Sequence, residues 1–103
     1  MTELARGRIR HTVVFTLAHP ESSAAETAFL DGASALSAIA GVEAFQILRE
    51  TSPKNAYRFG ISMEFADQSA YDGYNAHPEH VRFVEQRWVP DVRDFLELDY
   101  AAR

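Results

Sequence analysis

Between Tyr57 and Phe65 the chain alternates without a break. Tyr57, Phe59, Ile61, Met63 and Phe65 fall on one parity, and Arg58, Gly60, Ser62 and Glu64 on the other. Only an extended strand sends every second side chain to the same side, so this run demands a sheet with one apolar face that something must cover. Ile9 to Leu17 repeats the pattern in β-branched residues, with Ile9, His11, Val13, Phe15 and Leu17 sharing a parity. Its other parity, which holds Thr12, Val14 and Thr16, is not cleanly polar, so cover is expected on the second face as well. Val42 to Thr51, containing Phe45, Ile47 and Leu48, reads as a further strand joined to the Tyr57–Phe65 strand by a turn at Ser52-Pro53-Lys54-Asn55. Val92 to Tyr100 alternates through Leu96, Leu98 and Tyr100 and reads as the last strand.

Two helices fit between these strands. Glu21, Ser22 and Ser23 supply capping character after Pro20, and Phe29, Ala33, Leu36 and Ile39 recur at helical spacing up to Gly41. Asp67 is placed to cap a second helix, in which Tyr71 and Tyr74 lie three residues apart. Pro78 marks a new first turn, Val81, Phe83, Val84 and Trp88 continue an apolar face, and Pro90 stops it. The order β-α-β-β-α-β is the ferredoxin-like plan of the α+β class, a four-stranded antiparallel sheet with both helices on one face. One domain is expected over residues 1–103, with its core at about 9–100. The uncovered sheet face, expected to carry Thr12, Val14, Phe45 and Ile47, would be a large apolar patch on a chain that buries only about two-thirds of its unfolded surface. A homodimer packed sheet on sheet is therefore expected.

Composition removes several kinds of partner and chemistry. Ten Lys and Arg against fifteen Asp and Glu give a formal charge of −5, and the basic residues are scattered, so no phosphate-binding patch forms and nucleic acid is not expected as a partner. The absence of Cys excludes disulfides, thiolate nucleophiles and Cys-ligated clusters. No apolar run approaches the ~20 residues that span a bilayer, and the first residues lack the apolar core of a signal peptide, so no membrane partner and a cytoplasmic location are expected. Nucleophile-elbow, phosphate-loop and dinucleotide motifs are absent.

The residues Ile9-Arg10-His11-Thr12-Val13-Val14-Phe15, the passage Ile39-Ala40-Gly41-Val42, the strand Gly60 to Phe65, and above all Tyr74-Asn75-Ala76-His77-Pro78-Glu79-His80-Val81 carry a resemblance. From Ile9 to Tyr100 the chain resembles the stress-responsive α/β-barrel (Dabb) family. The resemblance implies a dimeric α/β barrel, in which two ferredoxin-like sheets join and the terminal strand of each protomer reaches its neighbour. Most members have no assigned reaction. A plant polyketide cyclase of the family closes its substrate by an aldol-type step without metal or cofactor, using a tyrosine and the second histidine of this motif as acid and base. Carried over, those roles fall on Tyr74 and His80, and a first-strand pocket histidine falls on His11. On the third strand this chain has Phe59 where the cyclase has another pocket histidine.

His80 would be the third residue of a helix starting at Pro78, where exposed N–H groups and the positive helix end disfavour imidazolium and leave a neutral base near pH 7. Tyr74 could then stabilise a developing enolate. The alternative is structural, with His77 and His80 bracing the helical break and Tyr74 bonded to nearby backbone. His11 shares a parity with Ile9, Val13 and Phe15 and is read as a satisfied core histidine before a substrate contact. Phe59, Ile61, Met63, His77, Phe83 and Trp88 complete the expected pocket, packed or hollow. A metal set of His11, His77, His80 and Glu64 can be written down, but Glu64 has the wrong parity, so no metal and no cofactor are expected.

Two functions follow. The first is a homodimer that binds a small, mostly apolar, oxygenated ligand in a pocket between sheet and helices, with no assigned reaction. The second is a cofactor-independent lyase, cyclase or isomerase that uses a His80/Tyr74 acid–base pair. Monooxygenases and haem-degrading enzymes of the dimeric ferredoxin-like type are a further alternative.

Overall fold

The computed structural model describes residues 3–103. Strand β1 (Ile9–Leu17) leads into helix α1 (Ala24–Ser34), which tightens into a 3-10 turn (Ala35–Ala38). Strands β2 (Glu43–Arg49) and β3 (Phe59–Phe65) follow, then helices α2 (Gln68–Ala76) and α3 (Pro78–Phe83), a π-helical turn (Val84–Trp88), a closing turn (Val89–Asp91) and strand β4 (Val92–Ala101). The sheet runs β2-β3-β1-β4, antiparallel at every step. This is the ferredoxin-like α+β arrangement that the alternating runs predict. β2 and β3 are shorter than expected, however, and Tyr57 precedes β3.

The caps explain where the helices start. Ser23 Oγ accepts from the Glu26 N–H at 3.2 Å, and Glu26 Oε1 accepts from the Ser22 N–H at 3.1 Å, so each satisfies a backbone donor of the other's turn. Glu26 is only 5% exposed, and its second oxygen accepts from Arg58 Nη1 at 2.9 Å. Asp67 Oδ1 caps α2 through the Ala70 N–H at 2.8 Å. His77 ends α2 and begins α3: its backbone is extended, its Nδ1 accepts from the Glu79 N–H at 3.1 Å, and Pro78 occupies the first helical position. The helical break at Pro78 therefore lies where the sequence places it, whereas the π-helical turn carries no signal in the sequence.

Register decides which residues line the core. His11 stands opposite Met63, Val13 opposite Ile61 and Phe15 opposite Phe59, so the odd positions of β1 and β3 face the helices. Phe15, Phe29, Phe65 and Met63 are buried at the centre of that layer. The expectation that Phe45 and Ile47 lie on the opposite, open face is wrong. Ile47 pairs with Ile61 and both Phe45 and Ile47 pack against the core, because β2 carries a one-residue bulge between Glu43 and Gln46. Ala44 sits there with φ 49°, in the left-handed region. The bulge lets Glu43 face away from the helices while Phe45 faces in. The open face instead holds Thr12, Val14, Leu48, Leu96, Leu98 and Tyr100, with the last four markedly exposed.

Candidate functional site

A cavity of about 370 Å³ lies between the sheet and the second helical layer. Its floor is Val13 on β1 with Ile61 and Met63 on β3, and its roof is Phe83 on α3 with Val84 and Trp88 of the π-helical turn. Leu36 closes one side. Polar groups gather at one end, where His11, Tyr74, Asn75, His80 and Glu97 reach it. A mostly apolar hollow with a few convergent polar tips is the usual form of a small-molecule site.

The break between α2 and α3 brings Tyr74 and His80 together, their ring centroids 4.4 Å apart. His80 Nδ1 lies 3.1 Å from the Asn75 carbonyl oxygen, which can only accept, so Nδ1 carries the proton and neutral His80 presents its lone pair at Nε2. Burial holds this imidazole below the ordinary histidine range. The Asn75 carbonyl opposes that effect, His11 adds to it and Glu97 opposes it. The leading cause is therefore desolvation rather than the start of α3, which corrects the electrostatic argument made from the sequence. Tyr74 is 2% exposed, and no group among the described residues hydrogen-bonds its hydroxyl. No fully buried side-chain nitrogen or oxygen among them lacks a partner, so the hydroxyl opens onto the cavity. Burial, with the Glu97 carboxylate second, pushes its ionisation well above the ordinary tyrosine range. It is a donor throughout the physiological range.

His11 is both a satisfied core residue and a cavity residue. It is 7% exposed, and its Nδ1 lies 2.6 Å from Asp99 Oδ1 and 3.0 Å from the Tyr71 hydroxyl. Tyr71 donates to Asp99 Oδ2 at 2.9 Å, and burial and then Asp99 raise its ionisation as well. Asp99 thereby orients the ring, with Nδ1 donating and Nε2 left as the acceptor. Sequence reading missed Tyr71, Asp99 and Glu97 as site residues. The signal was register: Asp99 pairs with His11 and Glu97 with Val13, and paired residues share a face.

Two expected pocket residues lie elsewhere. Phe59 is buried against Phe15, their centroids 5.9 Å apart, beneath the Arg49 guanidinium, and it does not line the cavity. His77 is spent on capping α3. His11, Ile61, Met63, Phe83 and Trp88 do line it. Among the described residues, His11, Glu97 and Asp99 bring one potential metal-ligating atom each within 4.8 Å of one another. His11 Nδ1 and Asp99 are already committed to each other and to Tyr71, so a cation there would have to open that cluster. Glu64, considered as a ligand from the sequence, is on the opposite face and bound to Arg8 and Arg10.

The sequence profile of the stress-responsive A/B barrel domain, Dabb, matches residues 9–102, and the chain belongs to that family. No curated protein sequence matches it. Among solved structures it is similar to a Dabb family protein with a ferredoxin-like fold from Mesorhizobium loti, at 58% identity, 95% coverage of this chain, 99% of that one and a TM-score of 0.92. A dimeric ferredoxin-like protein of unknown function from Thermobifida fusca matches at 17% identity, with 96% and 94% coverage and a TM-score of 0.77. The hydroxynitrile lyase of Passiflora edulis matches at 13% identity, 96% of each chain and a TM-score of 0.83. At these low identities the last two share the fold. No helix among the described residues is long and apolar enough to cross a membrane.

Proposed function

We propose that this chain is a homodimer whose cavity binds a small, mostly apolar, oxygenated molecule and moves a proton on it by side-chain acid–base catalysis. His80 Nε2 takes a proton next to a carbonyl carbon or from a hydroxyl group. The Tyr74 hydroxyl donates to the oxygen on which negative charge grows. This single step is common to lyases, aldol-type cyclases and isomerases, and the chain's own residues supply both of its groups. The observation that carries the reading is the juxtaposition of a donor without a protein partner and a neutral base on one apolar cavity. A hydroxynitrile lyase shares this fold, which supports including lyase chemistry in the reading. Dimeric proteins of the same fold support the homodimer.

The test is exchange of the α-protons of cyclohexyl methyl ketone in D2O, followed by NMR. Wild-type protein should accelerate exchange, with His80→Ala lowering the rate about a hundredfold or more and Tyr74→Phe lowering it about tenfold or more. Trp88, the single tryptophan, lies on the cavity wall, so its emission reports ketone uptake independently. Uptake without exchange would leave a binding protein. Exchange that both variants retain would overturn the assignment of the pair.

A further inference from the structure

We propose that the cavity selects uncharged molecules and turns carboxylates and other anions away, and that Glu97 is the residue that makes the selection. This rests on the reading that the cavity is the substrate site. Among the described residues Glu97 is the one carboxylate on the cavity wall, and no Lys or Arg lines it. Its carboxylate has no hydrogen-bond or ion-pair partner among the described residues, and Asp99 stands just behind it on the same face of β4. Among the described residues Arg8 and Arg10 pair with Glu43 and Glu64, Arg58 with Glu26 and Arg82 with Glu79, and Arg87 donates to the Ala28 carbonyl oxygen.

An anion entering this hollow would lose its water against apolar walls and meet a second negative charge with no cation to receive it. Both effects disfavour it: the apolar walls withhold water from the anion, and the Glu97 carboxylate, exposed at the mouth, repels it on the way in. A ketone, aldehyde or alcohol meets neither obstacle and finds Tyr74 and His80 ready to hydrogen-bond its oxygen. The same carboxylate also favours the imidazolium that His80 becomes on taking a proton, so its charge serves the base while it excludes the wrong ligand. The substrate class that fits is therefore an uncharged carbonyl or hydroxyl compound with an alicyclic or aromatic body.

Three probes of nearly the same shape separate charge from size: cyclohexyl methyl ketone, cyclohexanecarboxylate and cyclohexylmethylammonium. Binding is read for all three by calorimetry at pH 7, and for the carboxylate and the ammonium, which do not absorb where tryptophan does, by Trp88 emission as well. Wild-type protein should bind the ketone at least about tenfold more tightly than the carboxylate, and the ammonium more tightly than the carboxylate. Glu97→Gln should bring ketone and carboxylate within about threefold of each other, chiefly by improving the carboxylate. Equal binding of ketone and carboxylate by the wild type, or a gap that survives Glu97→Gln, overturns the selection by Glu97 and leaves the acid–base site standing. Absence of binding by all three probes overturns the substrate cavity itself, and this proposal with it.

Discussion

His80 shows how a single side chain takes its chemistry from what surrounds it. Its ring is partly withdrawn from water, and burial outweighs the Asn75 carbonyl and the Glu97 carboxylate, both of which favour the charged form. The expected outcome is an NMR titration midpoint for His80 below the usual 6.5, against a midpoint near or above it if the ring were solvated. The sign for stability follows. As pH falls through 6.5 the unfolded chain binds a proton that folded His80 still refuses, so this residue makes the protein less stable on the acid side and has no such effect above that range. Tyr74 moves the opposite way, upward, and this divergence is what the proposed acid and base roles require. The motif containing both residues was legible in the sequence. The lone hydroxyl of Tyr74 was not, because whether a buried tyrosine finds a backbone partner depends on geometry that no spacing encodes.

At the scale of elements, legibility depended on phase. β1 and β3 lie at the centre of the sheet and alternate cleanly, and their residues fall on the faces that parity assigns. β2 was read in the wrong phase. The bulge at Ala44 flips Glu43 relative to Phe45, and a local inversion of this kind leaves the apolar count unchanged. β4 was read through Leu96, Leu98 and Tyr100, and its acidic positions looked like a solvent face. They do lie near solvent at the sheet edge, yet register with β1 aims Asp99 at His11 and brings Glu97 to the cavity. The break at Pro78 was readable because proline has one favoured place in a helix. The π-helical turn after Phe83, which turns Val84 and Trp88 onto the cavity, has no comparable residue to announce it. Half of the site was therefore written in a motif and the other half in pairing.

For the whole molecule, the two faces of the sheet set different tasks. One is covered by helices and encloses the cavity. The other presents Val14 beside Leu96 and Gly60, with Leu98 and Tyr100 further along β4. Sheet-on-sheet association would bury these residues, and a charge at their centre would have no partner there. Light scattering should therefore give a dimer for the wild type, and for Val14→Glu a monomer of unchanged helix content at micromolar concentration. A wild type that stays monomeric would remove the dimer.

The cavity has a further consequence for the energetics of the fold. Val13, Ile61 and Met63 belong at once to the packed core and to the wall of a hollow, so the folded protein lacks contacts there that an occupant would restore. An occupant that binds only the folded chain, present at a hundred times its Kd, adds about 2.7 kcal/mol to the free energy of unfolding. In a domain of this size that is a rise of roughly 10 °C in Tm. The melting point is thus a thermometer for anything that fills the cavity, and a screen by heat alone tests the proposed ligand class before any reaction is known.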